Sequence, residues 1–252
     1  MKNLDKTRII ILAAGKSTRM KSDIPKALMP LMDKPFIQHI LDTIKTLDPN
    51  IKPIIVVGHK KEMVQKALGE NYIYAEQREQ LGTGHAVMSA QNSMDSLHET
   101  VLVLATDQPM VSRETLESII EKHQEKNPSI TMGIVTVPDF KDWRTGLNHF
   151  GRIIRGSDGL VKKIVEFKDA NNEEKEIREL NPALYAFNAK WLWENIDKLR
   201  NENVQGEYYL TDLVKLAFEQ NKKIETVQIK NIIEALQPNS KEELESLEKI
   251  AS

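Results

Sequence analysis

A chain of 252 residues with 35 lysines and arginines against 37 aspartates and glutamates carries a formal net charge of -2, which gives no bulk attraction to nucleic acid or to an anionic membrane. It has no cysteine, which excludes disulfides, thiolate nucleophiles and cysteine-based zinc or iron–sulfur sites, and its six histidines are scattered, with no pair at metal-ligand spacing. The length permits one large α/β domain or two closely packed lobes, and the charged start, Met1 to Arg8, leads into an apolar run too short to span a membrane and without a cleavage-like end, so a soluble cytoplasmic protein is expected.

Ile9, Ile10, Ile11 and Leu12 are too continuous for a half-exposed strand and predict a central parallel strand covered on both faces. The run stops at Ala13, Ala14 and Gly15, where side chains are so small that the backbone can approach a ligand closely. Over Lys16 to Lys26 the cations Lys16, Arg19, Lys21 and Lys26 stand against Asp23, at the carboxyl end of a strand, where open α/β sheets hold their ligands. Backbone amides and cations in that place suit a triphosphate; the alternative is a buried strand followed by a lysine-decorated surface loop. The spacing is neither that of a Walker A loop nor that of the three-glycine dinucleotide fingerprint.

Farther on, Ile37, Ile40, Leu41, Ile44 and Leu47 share one helical face behind Pro35. Pro53 to Gly58 reads as a second buried strand and Met63 to Leu68 as a short helix, and this alternation predicts a doubly wound, mostly parallel sheet. Gly82-Thr83-Gly84 is a second small-residue turn, opening onto a helix through Ala86, Val87 and Ala90. It is either a helix start with Thr83 as cap or a set of exposed amides that meets the Watson–Crick edge of a base together with the carboxamide of Gln77. Val101 to Pro109 is a further apolar strand ending in Asp107, a carboxylate that could cap the helix from Arg113 or, facing the phosphate loop, hold Mg2+.

Ser129 to Val137 adds another strand. Gly151–Arg155 and Leu160–Phe167, flanking Ser157-Asp158-Gly159, predict a hairpin and with it an inserted lobe. Asn171 to Glu176 is a charge run expected as a solvated loop. Glu202 to Ala217 is expected as a helix with Leu210, Leu213, Val214 and Ala217 inward. Leu244, Leu247 and Ile250 mark a last helix, with Asn239 just ahead of it as a possible N-cap.

The string LAAGKSTRMKSDIPK resembles the signature L-A-A-G-x-G-T-R-M-x-S-x-x-P-K of the sugar-phosphate nucleotidyltransferases. Gln77, the string LGTGHAV and the string QGEYYLTD resemble, within that superfamily, the uridylyltransferase domains that make UDP-N-acetylglucosamine. The resemblance covers nearly the whole chain. It implies a Rossmann-like nucleotidyltransferase fold with an inserted β-containing sugar-binding lobe: one domain over residues 1–252, with a nucleotide-binding lobe over 1–138 and a sugar-binding lobe plus C-terminal helix over 139–252. It implies that UTP and N-acetylglucosamine 1-phosphate are joined with release of pyrophosphate, with Mg2+ as cofactor, small molecules as substrates, and neither nucleic acid nor membrane as partner.

In the register of that family, Arg19 and Lys26 are implied as catalytic residues on the phosphates, and Leu12, Ala13, Ala14, Gly15, Gln77, Gly82 and Thr83 as nucleotide-binding. Gly151, Glu166 and Asn181 are implied as sugar-binding, and Asp107 and Asn239 as metal ligands. The chain departs from the pattern at Ser17, Ala105-Thr106 and Pro182-Ala183, where Gly, Tyr-Gly and Thr-Gly are usual. Ser17 and Pro182-Ala183 keep open a different sugar 1-phosphate or a cytidylyl acceptor. A nucleotide-sensing subunit without catalysis is the other alternative, and retention of Arg19, Lys26 and Asp107 together argues against it. No repeat of short apolar hexads follows, so the left-handed β-helix acetyltransferase half of the bifunctional relatives is not expected here.

Overall fold

A computed structural model describes residues 4–15, 22–95 and 97–251. In chain order its strands are β1 (Thr7–Leu12), β2 (Pro30–Leu31), β3 (Lys34–Pro35), β4 (Ile54–Val57), β5 (Ile73–Glu76), β6 (Thr100–Ala105), β7 (Ile130–Thr136), β8 (Gly151–Arg155), β9 (Val161–Val165), β10 (Glu179–Asn181), β11 (Tyr185–Asn188) and β12 (Ile224–Gln228). The helices are α1 (Phe36–Leu47), α2 (Lys61–Leu68), α3 (Thr83–Ser89), α4 (Arg113–Lys126), α5 (Asn172–Lys175), α6 (Ala189–Asn195), α7 (Asp212–Glu219) and α8 (Lys241–Ala251).

Ten strands form one sheet in the order β5-β4-β1-β6-β11-β7-β10-β8-β9, with β12 alongside β7. Strands β5, β4, β1 and β6 run parallel, as their continuous apolar runs predict. Beyond β6 the pairing changes: β11 is antiparallel to both β6 and β7. The period of two along β1 assigns its side chains to two layers. Ile9 and Ile11 pack with Ile37, Ile40, Leu41 and Ile44 of α1, while Ile10 points to the other face, against Ala86 and Val87 of α3. The five buried apolar residues of α1 contribute on the order of 10 kcal/mol of burial, which fixes that helix on the sheet.

From β1 the chain moves outward to β4 and β5, then crosses to β6 on the other side of β1. The crevice outside the carboxyl ends of β1 and β6 is therefore the topological switch point, where sheets of this kind hold ligands. Register brings those ends level, with Leu12 opposite both Val56 and Ala105.

The hairpin forms as predicted from β8 and β9, and β10 stitches it to β7, so it extends the main sheet. Arg152 of β8 is fully buried there, stacked 4.9 Å from the Phe140 ring and 5.3 Å from that of Phe167. Two expectations are corrected. Residues 171–176 are solvated as expected but are not a loop: Asn171 and Glu174 form a reciprocal capping box, which offsets the helix-nucleation cost of α5. The helix expected over Glu202 to Ala217 begins only at Asp212, because the main chain of Tyr208 is taken up elsewhere, by the Leu81 carbonyl and the Gly84 amide. Strand β5 carried no clear signal, being short and half-buried at the sheet edge.

Candidate active site

The carboxyl ends of β1 and β6, the turn after β5 and the start of α3 enclose a cleft of about 420 Å3. Leu12, Ala13, Ala14, Gly15, Lys26, Gln77, Gly82, Thr83 and Asp107 all line it. The loop after β1 is pinned by the Ala13 amide, which donates to the Val56 carbonyl at 2.8 Å. Arg19 and Ser17 lie outside the described residues.

Lys26, Asp107 and Asn239 meet at one point although they are 81 and 213 residues apart in pairs. The Lys26 ammonium donates to Asp107 Oδ2 at 3.0 Å and to Asn239 Oδ1 at 2.6 Å. Asp107 Oδ1 is buried and without a hydrogen-bond partner among the described residues, a costly state for a carboxylate oxygen. The capping alternatives for these residues are not realised. Ser112 caps α4 through the Thr115 amide, and Ser240 accepts the Glu243 amide at the start of α8. Asn239 is held in place instead, its amide donating to Glu243 Oε2 at 2.7 Å and its Nδ2 to the Gln237 carbonyl at 2.7 Å.

The departure Ala105-Thr106 also has a structural place. The Thr106 hydroxyl and amide both donate to the Leu12 carbonyl at 3.1 Å, tying the end of β6 to the end of β1.

Gln77 is 3% exposed. Its Nε2 donates to the Gly82 carbonyl at 3.0 Å. Thr83 is not a helix cap: Gly82 occupies that position, and Thr83 Oγ1 accepts the Leu210 amide at 3.0 Å. The turn is held further by Gly84 N–H to Tyr208 O and Tyr208 N–H to Leu81 O, each 2.7 Å. The QGEYYLTD string, whose apolar residues the sequence predicts as core, is thus also the bracket on which the Gly82–Gly84 turn is mounted.

Gly151, Glu166 and Asn181 form a second group. Asn181 lies opposite Gly151 across β10 and β8, and a Cβ on Gly151 would stand 3.4 Å from Glu166 Oε1. Burial pushes the Glu166 carboxyl above the ordinary carboxylate range; the Thr211 hydroxyl, which donates to Oε1 at 3.0 Å, works against the shift, and Asp212, Asp169 and Glu207 add to it. Asn181 Oδ1 accepts the Tyr185 hydroxyl at 2.8 Å and the Ala183 amide at 3.1 Å.

Two bridges join the groups. Tyr208 to Thr211 touches the Gly82–Gly84 turn by main chain and Glu166 by the Thr211 hydroxyl. Gln237 donates from Nε2 to the Pro182 carbonyl at 2.8 Å and accepts Asn239 Nδ2. Thr211 and Gln237 escaped sequence reasoning, since both act across long sequence separations.

The profile of the MobA-like NTP transferase domain matches residues 9–207. The "Bifunctional protein GlmU" of Enterococcus faecalis is 42% identical over 241 residues, 96% of this chain and 51% of the relative. That of Exiguobacterium sibiricum is 44% identical over 208 residues, 82% and 44% of the two chains. The chain thus spans about half the length of these curated relatives. A UDP-glucose pyrophosphorylase structure complexed with UDP-glucose superposes with a TM-score of 0.75 at 18% identity, covering 97% of this chain and 98% of that one. A CMP:2-keto-3-deoxy-manno-octonic acid synthetase complexed with CTP gives 0.67 at 14%, covering 98% of each; both establish the fold. By the profile match over residues 9–207, this chain belongs to the MobA-like NTP transferase domain family.

Proposed function

We propose that this chain joins UTP to a sugar 1-phosphate, N-acetylglucosamine 1-phosphate, forming the UDP-sugar and releasing pyrophosphate. The observation that carries the reading is the meeting of Lys26, Asp107 and Asn239 at the carboxyl ends of the strands, with Asp107 Oδ1 buried and without a partner among the described residues. An ammonium shared by a carboxylate and a carboxamide oxygen stands at a place where cationic charge is wanted. The sugar phosphate, already an anion, attacks the α-phosphorus in line, so no strong base is required. The protein's task is alignment and charge neutralisation.

Lys26 serves the phosphates, with Arg19 beside it by family register. The small side chains Ala13, Ala14 and Gly15 let main-chain amides approach them. Gln77, Gly82 and Thr83 face the base. Gly151, Glu166 and Asn181 face the sugar, with Thr211 orienting the Glu166 carboxylate. The division of labour follows the two lobes, 1–138 for the nucleotide and 139–252 for the sugar.

The oxygen-only set of Asp107 and Asn239 fits a hard divalent cation such as Mg2+. Among the described residues no group of three or more His, Cys, Asp or Glu side chains could hold a metal by itself, so phosphate oxygens would complete the shell. When bound, Mg2+ would neutralise the developing charge on the transferring phosphate. Among the described residues no helix is long and apolar enough to cross a membrane.

A pyrophosphate-release assay across UTP, CTP, ATP and GTP, each with N-acetylglucosamine 1-phosphate and glucose 1-phosphate, tests the proposal. The first triphosphate with the first sugar phosphate should give the highest kcat/KM. Equal turnover of UTP and ATP would overturn the base assignment, and no release with any pair would overturn the function.

A further inference from the structure

The proposed base reader, Gln77, has a side chain whose two ends are chemically different, and the structure contains a device that sets which end faces the cleft. Gln77 Nε2 lies 3.0 Å from the Gly82 carbonyl oxygen and 3.1 Å from Nδ1 of His85. The carbonyl can only accept, so the nitrogen of the carboxamide faces it. That nitrogen carries two hydrogens, and the second is directed to His85 Nδ1. His85 therefore presents Nδ1 as a lone pair and carries its proton on Nε2. The carboxamide oxygen of Gln77 is left for the cleft, whose wall Gln77 forms.

An outward acceptor has a definite preference. It receives the N3–H of uracil, whereas N3 of cytosine is itself a lone pair, and two acceptors facing each other leave both unsatisfied. If the carboxamide turned over, its NH2 would face the cleft and suit cytosine, but its oxygen would then confront the Gly82 carbonyl, and His85 would have to move its proton from Nε2 to Nδ1 to meet it. The main chain of Gln77 is fixed by its own amide, which donates to the Val57 carbonyl at 2.8 Å, so rotation of the carboxamide is the freedom that remains to be controlled.

We propose that His85, which stands behind Gln77 outside the residues lining the cleft, is a positioning residue that locks the Gln77 oxygen outward and so sets the preference for UTP over CTP. The inference rests on the reading of Gln77 as the group that meets the base. His85 is itself braced: it sits in the first turn of α3, its carbonyl accepts the Ser89 hydroxyl at 2.9 Å, and its ring centroid is 6.4 Å from that of Tyr208. The segment that mounts the base-facing turn thus also backs the histidine.

Two variants and one spectroscopic measurement test this on the full chain. His85→Phe keeps a ring against Tyr208 and deletes the acceptor; the ratio of kcat/KM for UTP to that for CTP should fall about tenfold, chiefly through a higher KM for UTP. His85→Asn restores an acceptor near the Nδ1 position and should keep the ratio within about threefold of wild type. A merely structural histidine would lower turnover of both nucleotides alike, and an unchanged ratio in His85→Phe would overturn the proposal. Long-range proton–nitrogen NMR on the wild type gives the tautomer directly: a protonated Nε2 and bare Nδ1 support the inference, and a protonated Nδ1 overturns it whatever the variants do. If wild type itself turns over UTP and CTP equally, the base-reading role of Gln77 fails and takes this inference with it; a wild-type preference kept by His85→Phe refutes the role of His85 alone.

Discussion

Gly82 and Gly15 both line the cleft, but alanine at the two positions should fail in opposite ways. At Gly82 φ is +105°, and an added Cβ would lie 2.7 Å from the Tyr208 carbonyl oxygen and 2.9 Å from the Tyr208 nitrogen. Those are main-chain atoms on a segment fastened to the turn by three hydrogen bonds, from Gly84, Tyr208 and Leu210. The backbone strain costs about 1–3 kcal/mol, and parting the two chains forfeits about 1 kcal/mol for each hydrogen bond weakened. A total of about 2–4 kcal/mol lowers Tm by roughly 5–15 °C in a domain of this size. At Gly15 an added Cβ meets no described atom within 4 Å, so the free protein should tolerate alanine, with Tm unchanged or higher by about 1–3 °C. If the backbone there lies against phosphate, the same methyl occupies ligand space, and KM for UTP should rise about tenfold or more. Thermal melting paired with steady-state pyrophosphate release separates the two. Gly15→Ala with wild-type kcat/KM for UTP would refute the close approach of phosphate, and Gly82→Ala with a wild-type Tm would refute the rigid docking of the turn on Tyr208.

Lys26→Met should bind Mg2+ about tenfold more tightly than wild type in calorimetry without nucleotide, because Lys26 otherwise holds the oxygens of Asp107 and Asn239; equal affinity would show that the cation binds elsewhere. Glu166→Gln should raise Tm at pH 8 and weaken N-acetylglucosamine 1-phosphate. Burial raises the Glu166 carboxyl above its unfolded value, so its contribution to stability is full below the unfolded value, near pH 4, and is lost as pH rises through the folded one; the Tm difference between variant and wild type should therefore shrink toward pH 4, and a gap that widens on acidification would contradict the sign. Ala183→Gly should stabilise by about 0.5–1 kcal/mol, or roughly 2–4 °C, since alanine at φ +63° carries left-handed strain that exceeds the extra chain entropy of glycine; a lower Tm would mean that the methyl packs well enough to offset the strain.

What was legible in the sequence follows the reach of each interaction. Ile9 to Leu12 announced a central strand because a strand covered on both faces has no polar alternation, and the switch point follows once β6 is read the same way. Asp107 was legible as a strand-end carboxylate, but its partnership with Lys26 and Asn239 needed the fold. Thr83 looked like a helix cap by local grammar, yet its hydroxyl accepts an amide 127 residues away. Glu202 to Ala217 carried a helical stripe, and only its last six residues, from Asp212, are helix, since the hydrogen bonds of Tyr208 are spent on the turn after Gln77. Thr211 and His85 sit in strings that could be matched but not interpreted, because what each does depends on one side chain brought beside it by tertiary structure.

The two bridges have a consequence for how the site works as a unit. Tyr208 to Thr211 is a four-residue span that holds the Gly82–Gly84 turn at one end and the Glu166 carboxyl at the other. Gln237 likewise links the Asn181-Pro182 turn to Asn239, which reaches Lys26 and through it Asp107. The residues proposed for base, sugar and phosphate are therefore linked in pairs through main-chain atoms and partly buried side-chain hydrogen bonds. In the proposed reaction, in-line transfer demands that the attacking oxygen and the leaving pyrophosphate be aligned to a fraction of an ångström, and a frame of this kind would serve that alignment.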